Sequence, residues 1–468
     1  MRYPDITPDP VGDGAPLAKL TTMRVGGPAD RIVAAHSAED LVLRATELWR
    51  LGEPWLLLGG GSNTVVCDEG FPGTVLLVRN TGIARVEDPN LLPGRVRVRA
   101  QAGHDWDHLV KACVDRGWAG IEALSGIPGL AGAAPVQNIG AYGQELSNVL
   151  HSIEFLDAGS GEVRRVPAAE LALEYRDSAI KRGDLEGVVL SIDLVLSDAL
   201  AGIERSGAAD TWSDTLPLPI AAAERSRGRH GADPEPAGSG STAPAAIPGG
   251  AASEAGAPAQ APGQTPAARP AAQPATDETP LSLAPVLYAQ LAAALGVEVG
   301  DFVPVRVLRD AVLRMRASKG MVLDEADHDS WSSGSFFTNP IVSERFAREL
   351  PSDAPRFPMH SEKGGDEVAV TTLEELEAGV PLRIPEAPPE RRYKLSAAWL
   401  IEHAGVPRGF RLPGSGAAIS SKHTLAITNR GAASAADVAQ LARFVVQRVQ
   451  QEFGVILEPE PNLYGLEL

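Results

Sequence analysis

Five stretches of this 468-residue chain carry residue types that can do chemistry. The first is GGGSN, with Gly59, Gly60, Gly61, Ser62 and Asn63 directly after the apolar residues 56–58. Three successive glycines let backbone N–H groups converge on one anion, and Ser62 and Asn63 add side-chain donors, so the loop can cradle a pyrophosphate. It can equally be a Gly-rich hairpin that binds nothing. It is neither the G-x-G-x-x-G of a dinucleotide-binding Rossmann unit nor a Walker loop, which needs Lys-Ser or Lys-Thr behind it. The second is SGIPGLAGAAPVQNIGAYG, residues 125–143. Side chains this small let backbone approach a large flat ligand, with Gln137 and Asn138 to hydrogen-bond it and Tyr142 to stack on it.

Arg176, in EYRDSAIK, offers a planar bidentate fork for a carboxylate or a polarised carbonyl. Alternatively it pairs with Glu174, while Asp177 or Ser178 caps a following helix. Ser335, in GSFFTNP, sits beside Phe336 and Phe337, which on the two faces of a strand would exclude water around the hydroxyl. A serine is a poor acid, yet it can protonate something more basic, such as a carbanion next to a carboxylate. No G-x-S-x-G elbow surrounds it, which argues against acyl transfer. Glu460, after Pro459, can orient or protonate a reacting group, and Glu458 competes for the same role. His104 and His108 stand four apart but lack a third ligand and the glutamate of H-E-x-x-H, so no metal is expected.

The elements that must position these groups follow from periodicity. Residues 38–51 have helical spacing, 56–58, 64–67 and 74–78 are strand-like, and 96–100 leads into a helix over about 105–116 that Gly117 can cap. Residues 304–319 read as a helix delivering Arg314, Arg316 and Lys319 near its end. Ser434 and Asp437 make a capping box for a helix buried along Val438, Leu441, Val445 and Val449 and stopped by Gly454, and 455–457 reads as a strand. The mixture is α/β or α+β.

Charge and composition limit the partners. Against 60 Asp and Glu there are 42 Lys and Arg, a net charge of −18, which disfavours a nucleic-acid backbone and leaves small anions open. No apolar run is long enough to span a bilayer, and MRYPDITPDP lacks a secretion signal, so a cytoplasmic protein without a membrane partner is expected. Cys67 and Cys113 have no metal-ligand or redox spacing and read as core thiols. Of the 49 residues 232–280, 35 are Ala, Pro, Gly or Ser, and Ile247 is the single large apolar one. Such a stretch buries too little to offset its ordering entropy, so 199–280 is expected to be a disordered insert.

In order along the chain, TTMRVGGPAD, GGGSN, GIPGLAGAAPVQNIGAYG, EYRDS, GSFFTNP, KLSAAWLIEHAG and LEPE resemble one family, the UDP-N-acetylenolpyruvoylglucosamine reductases. The resemblance runs over about 21–198 and 281–463. It implies an α+β protein with an FAD-binding fold of the vanillyl-alcohol-oxidase type. Residues 1–82 and 83–319 would form two FAD-binding α+β subdomains, 320–462 an α+β substrate-binding domain and 463–468 a C-terminal tail. FAD contacts would come from Gly59 to Asn63 and from Ile127, Pro128, Gly129, Gly132, Ala133, Val136, Gln137, Asn138, Gly140, Ala141 and Tyr142. Arg176, Ser335 and Glu460 match the catalytic positions, and Tyr288, Lys319 and Asn339 match substrate contacts.

By the same resemblance, NADPH reduces FAD and a UDP-linked enolpyruvyl amino sugar is then reduced to UDP-N-acetylmuramate for peptidoglycan, by a monomer. Arg176 and Glu460 would stabilise the enolate and Ser335 would supply the proton. A related FAD-linked oxidase of a small alcohol or sugar lactone is the competing enzyme, which EYRDS, GSFFTNP and LEPE disfavour. A scaffold that recruits partners through the Pro/Ala segment is the non-enzymatic alternative, disfavoured by the three catalytic residue types. Deleting 232–280 is expected to leave turnover largely unchanged; a large loss would mean that the segment orders the site around Tyr288.

Overall fold

The computed structural model describes residues 12–198, 282–359 and 391–468. The expected disordered insert, 199–280, lies outside the described residues, as does most of 352–392. In the first unit, Ser37 accepts the Asp40 N–H and starts the helix Ala38–Leu51, which Gly52 ends at φ +69°. Its buried stripe, Leu41, Ala45 and Leu48, packs on a parallel sheet in the order Ala29–Ala35, Phe71–Val78, Trp55–Leu58. GGGSN therefore leaves the carboxyl end of a parallel strand, where open α/β sheets place their ligands.

The second unit is built on a six-stranded sheet whose main order is Val163–Pro167, Leu150–Asp157, Gly187–Asp198, Arg95–Gln101, Ile83–Val86. The helix Trp106–Asp115, capped by Asp105, and the helix Val305–Ser318 share its core. The two helices are tied by a buried bidentate pair, Arg309 Nη1 to Asp107 Oδ1 at 2.6 Å and Nη2 to Oδ2 at 2.8 Å. The same carboxylate accepts the Gly126 N–H at 2.6 Å, and Arg309 also reaches Ser125 Oγ at 2.9 Å. One ion pair thus anchors the start of the 125–143 loop. Cys67 and Cys113 are both buried free thiols, as expected.

A third core gathers Phe336, Phe337, Leu400, Ile401, Val438, Leu441, Val445 and Val449. The helix Ala435–Phe453 has the expected Ser434–Asp437 capping box and ends at Gly454, φ +69°. One expectation needs correction here. Residues 455–457 form no strand; pairing resumes at Pro459, which bridges Phe337. Further on, Asn462–Tyr464 pairs in parallel with Thr64–Val66 of the first unit. Among the described residues no helix is long and apolar enough to cross a membrane.

Candidate active site

A cavity of about 390 Å³ lies where the three units meet. Its lining includes Gly59 to Asn63, Ile127, Pro128, Gly129, Gly132, Ala133, Val136, Gln137 and Gly140, together with Arg176, Ser335 and Glu460. Thirteen of the sixteen residues expected to hold a cofactor, and all three expected to catalyse, therefore face one space. The small residues are required by the packing: a Cβ on Gly60 would stand 3.0 Å from Gly129 Cα, and one on Gly132 would stand 2.5 Å from Ala102 Cβ. Gly61, at φ +60°, would put a Cβ 2.0 Å from the Leu20 carbonyl. Among the described residues the backbone N–H groups of Gly60, Gly61, Ser62 and Asn63 donate to no other protein group. They line the cavity, as an anion cradle requires, and Ser333 Oγ is a further buried polar atom there without a protein partner.

Arg176 sits at φ +56° in a bend whose ends, Glu174 and Asp177, exchange backbone hydrogen bonds of 3.1 and 3.2 Å. A left-handed arginine costs about 1–3 kcal/mol, an expense tolerated where it aims a side chain. The guanidinium forms an ion pair with Glu460, Nε to Oε1 at 3.2 Å, and donates to the Gly140 carbonyl at 3.3 Å, so pairing with Glu174 is not its role. The two candidate carboxylates are placed differently: Glu460 faces the cavity, with its side chain 11% exposed, while Glu458 is on the surface. Burial lifts the Glu460 carboxyl above its ordinary range, and Arg176 and Lys181 pull against that rise. The acid form consequently persists to higher pH than in a solvated glutamate.

Ser335 and Glu460 are brought side by side by backbone pairing. Phe336 O accepts the Glu460 N–H at 2.9 Å, and Glu458 O accepts the Thr338 N–H at 3.0 Å. Phe336 and Phe337 do not flank the serine on two faces of a strand. Both rings are buried in the third core, in edge contact, and hold the loop from below. Asn63 Nδ2 closes the ring of contacts by donating to the Glu460 carbonyl at 3.2 Å and to Gln137 Oε1 at 3.4 Å.

Six sequence-derived residues lie outside the cavity lining. Asn138 is 2% exposed, and its amide is spent inside the protein on Glu145, Ser147 and the Glu174 carbonyl, so its side chain does not face a ligand. Ala141 also lies off the lining. Tyr142 stands edge-on to Tyr288, ring centroids 5.7 Å apart, with Lys319 Nζ 5.7 Å from the Tyr142 ring. Asn339 binds the helix start at Ala397 N–H and Tyr175 OH. Tyr288 and Lys319 thus meet at one ring, while Asn339 is committed to structural contacts.

His104 and His108 diverge: His104 Nδ1 accepts the Gly82 N–H at 3.4 Å from a buried position, whereas His108 is on the surface. Sequence reasoning missed the contact between Ser335 Oγ and His423 Nε2, 3.4 Å. The two are 88 positions apart, and no local pattern links them.

The chain is similar to known proteins of one family. Residues 325–464 match the family described as "UDP-N-acetylenolpyruvoylglucosamine reductase, C-terminal domain", and residues 29–167 match "FAD binding domain". A protein of Leifsonia xyli subsp. xyli named UDP-N-acetylenolpyruvoylglucosamine reductase is 50% identical over 97% of this chain and all of its own. One of the same name from Saccharopolyspora erythraea is 39% identical, covering 97% of this chain and 96% of its own. A solved structure, the UDP-N-acetylenolpyruvylglucosamine reductase of Thermus caldophilus, is matched with a TM-score of 0.49 at 20% identity over 96% of this chain and 97% of that one. Gly60→Ala is expected to keep the far-ultraviolet circular dichroism of the parent while loosening FAD retention at least about tenfold, because a methyl there must push apart a pair of packed loops. Unchanged flavin content would remove the cradle assignment.

Proposed function

Since the chain belongs to the UDP-N-acetylenolpyruvoylglucosamine reductase family, we propose that it reduces UDP-N-acetyl-3-O-(1-carboxyvinyl)glucosamine to UDP-N-acetylmuramate in cytoplasmic peptidoglycan precursor synthesis, with FAD as cofactor and NADPH as hydride donor. The observation that carries this reading is the meeting of Arg176, Ser335 and Glu460 on the wall of a cavity rich in glycine and small apolar residues. On this reading 1–82 and 83–319 hold FAD, 320–462 hold the sugar nucleotide, and the enzyme acts as a monomer. The site fits FAD: free backbone donors in GGGSN suit a pyrophosphate, and the flat wall at 127–137 suits a ring system.

FAD, once bound, supplies a hydride, taken from NADPH, to the terminal methylene carbon of the enolpyruvyl group. The work left to the protein is electrostatic. Negative charge develops at the carbon bearing the substrate carboxylate and spreads into that group. Arg176 places a fixed positive charge beside it, already oriented by Gly140 and Glu460. Glu460, with its pKa raised by burial, can donate a hydrogen bond to the developing enolate. The O–H of Ser335 then breaks as a C–H bond forms at the same carbon. Lys181 holds the Arg176 carbonyl at 2.8 Å and so fixes the strained bend rather than the chemistry. Tyr288 and Lys319, joined through Tyr142, are assigned to the nucleotide end of the substrate. Asn339 would serve the substrate side by holding the Ala397 helix start.

Ser335→Ala separates the two halves of the reaction. Flavin reduction by NADPH is expected to stay within about twofold of the parent, and reoxidation by the enolpyruvyl substrate to slow by about 10²–10⁴-fold, the range of a lost general acid. Equal damage to both halves in stopped-flow traces would assign the serine to structure. The second half-reaction should also weaken as pH rises through the raised Glu460 pKa, because only the protonated carboxyl donates.

A further inference from the structure

Beside Ser335 stands a group that the mechanism above does not use. His423 Nε2 lies 3.4 Å from Ser335 Oγ. Its loop is fixed at both ends: the His423 N–H donates to Ser420 Oγ at 3.2 Å, and the His423 carbonyl accepts the Ala426 N–H at 3.1 Å. We propose that His423 is a positioning residue for Ser335, donating its Nε2–H to Oγ, turning the serine hydrogen toward the cavity and stabilising the oxygen that loses it. The inference rests on the proposed reductase activity and deepens it by one residue.

Two observations support the donor role. Burial, and then the positive charges of Lys319, Arg316 and Arg408, push His423 down to about 4, so the ring carries a single proton at neutral pH. Were that proton on Nδ1, Nε2 would accept from the hydroxyl and hold its hydrogen away from substrate. With the proton on Nε2, the hydroxyl hydrogen is free to point at the reacting carbon. The same three cations that keep the ring neutral favour negative charge on Oγ. Facing groups of opposite sign are few: Glu402 pairs with Arg408 and with Thr424 Oγ1. The balance is simple. The Ser335 O–H bond breaks as the C–H bond forms, the electron pair of the carbanion enters that bond, and Oγ is left as an alkoxide held by the imidazole N–H and the surrounding charge. Solvent water returns the proton to Oγ as product leaves, releasing hydroxide to the medium.

The test uses the full-length, FAD-loaded enzyme and two variants, His423→Ala and His423→Gln, with flavin content measured first to show an intact site. Flavin reduction by NADPH should remain within about twofold of the parent in both, whereas reoxidation by the enolpyruvyl substrate should fall about 10²-fold in the alanine variant, as for removal of one preorganised donor. The glutamine amide can reach Oγ, so it should recover at least about a tenth of the parental rate, and the solvent deuterium isotope effect on reoxidation should be larger in alanine than in either. Reoxidation by the alanine variant within about threefold of the parent, or equal losses in alanine and glutamine, or a loss confined to KM, would overturn the inference while leaving the proposed function standing. A parent enzyme whose reduced flavin ignores the enolpyruvyl substrate would overturn both.

Discussion

Everything at the site depends on the chain's end returning to its beginning. Asn462–Tyr464 adds a strand to Thr64–Val66, and the Asn462 N–H donates to Asn63 O at 2.9 Å. That register sets Glu460 two residues before the strand, against the GGGSN loop on one side and the Ser335 loop on the other. Without it a glutamate 284 positions from Arg176 would have no reason to meet it. Strand pairing is directional and holds register to one residue, since a slip by one turns every side chain to the opposite face. A slip here would exchange the facing of Glu460 for that of Pro459 or Pro461.

The second requirement is that little moves when charge appears. Gly60 and Gly129 allow two loops to touch through their backbones, where a single Cβ would intrude. The buried Arg309–Asp107 pair holds the other end of the loop wall through Gly126. Breaking such a pair leaves an uncompensated charge worth about 3–5 kcal/mol. Arg176 stays in a disfavoured backbone conformation because its neighbours over-determine it: Glu174, Asp177 and Lys181 each bind the bend. Preorganised donors in a partly dry site act more strongly on developing charge than the same groups in water, since they need not reorient. The raised pKa of Glu460 and the lowered pKa of His423 share one cause, burial, which disfavours whichever form is charged.

Local elements were legible from their own residues, whereas the meeting of Arg176, Ser335 and Glu460 was legible only through the resemblance to a family. Helices 38–51 and 305–318 and the capped helix 435–453 fell within a residue or two of expectation, because cap chemistry and a 3.6-residue stripe are local signals. The failures were non-local. Residues 455–457 have the composition of a strand, yet no partner edge is offered there, and pairing resumes at 459 and at 462. Phe336 and Phe337 look like a strand's two faces, but the third core has room for both rings on one side. Asn138, surrounded by glycines, reads as a ligand donor; its partners Glu145 and Ser147 lie just downstream, in a hairpin that closes on it. His423, with Ser421 and Lys422, was expected to line the substrate domain but had no assignable role, because a single histidine in SSKHT becomes meaningful only when a serine from a distant loop is laid against it.

The central claim is therefore geometric: a flavin gripped by the glycine loops presents its reactive face to an arginine, a hydroxyl and an acid drawn from three regions of the chain. A crystal structure of the FAD-loaded enzyme with its enolpyruvyl sugar nucleotide tests this directly. The account predicts the substrate carboxylate against Arg176, the carbon that bears it within contact of Ser335 Oγ, and Glu460 on the same group, all over the flavin ring. A ring lodged outside the Gly59–Gly140 cavity, or a substrate double bond remote from Ser335, would contradict it.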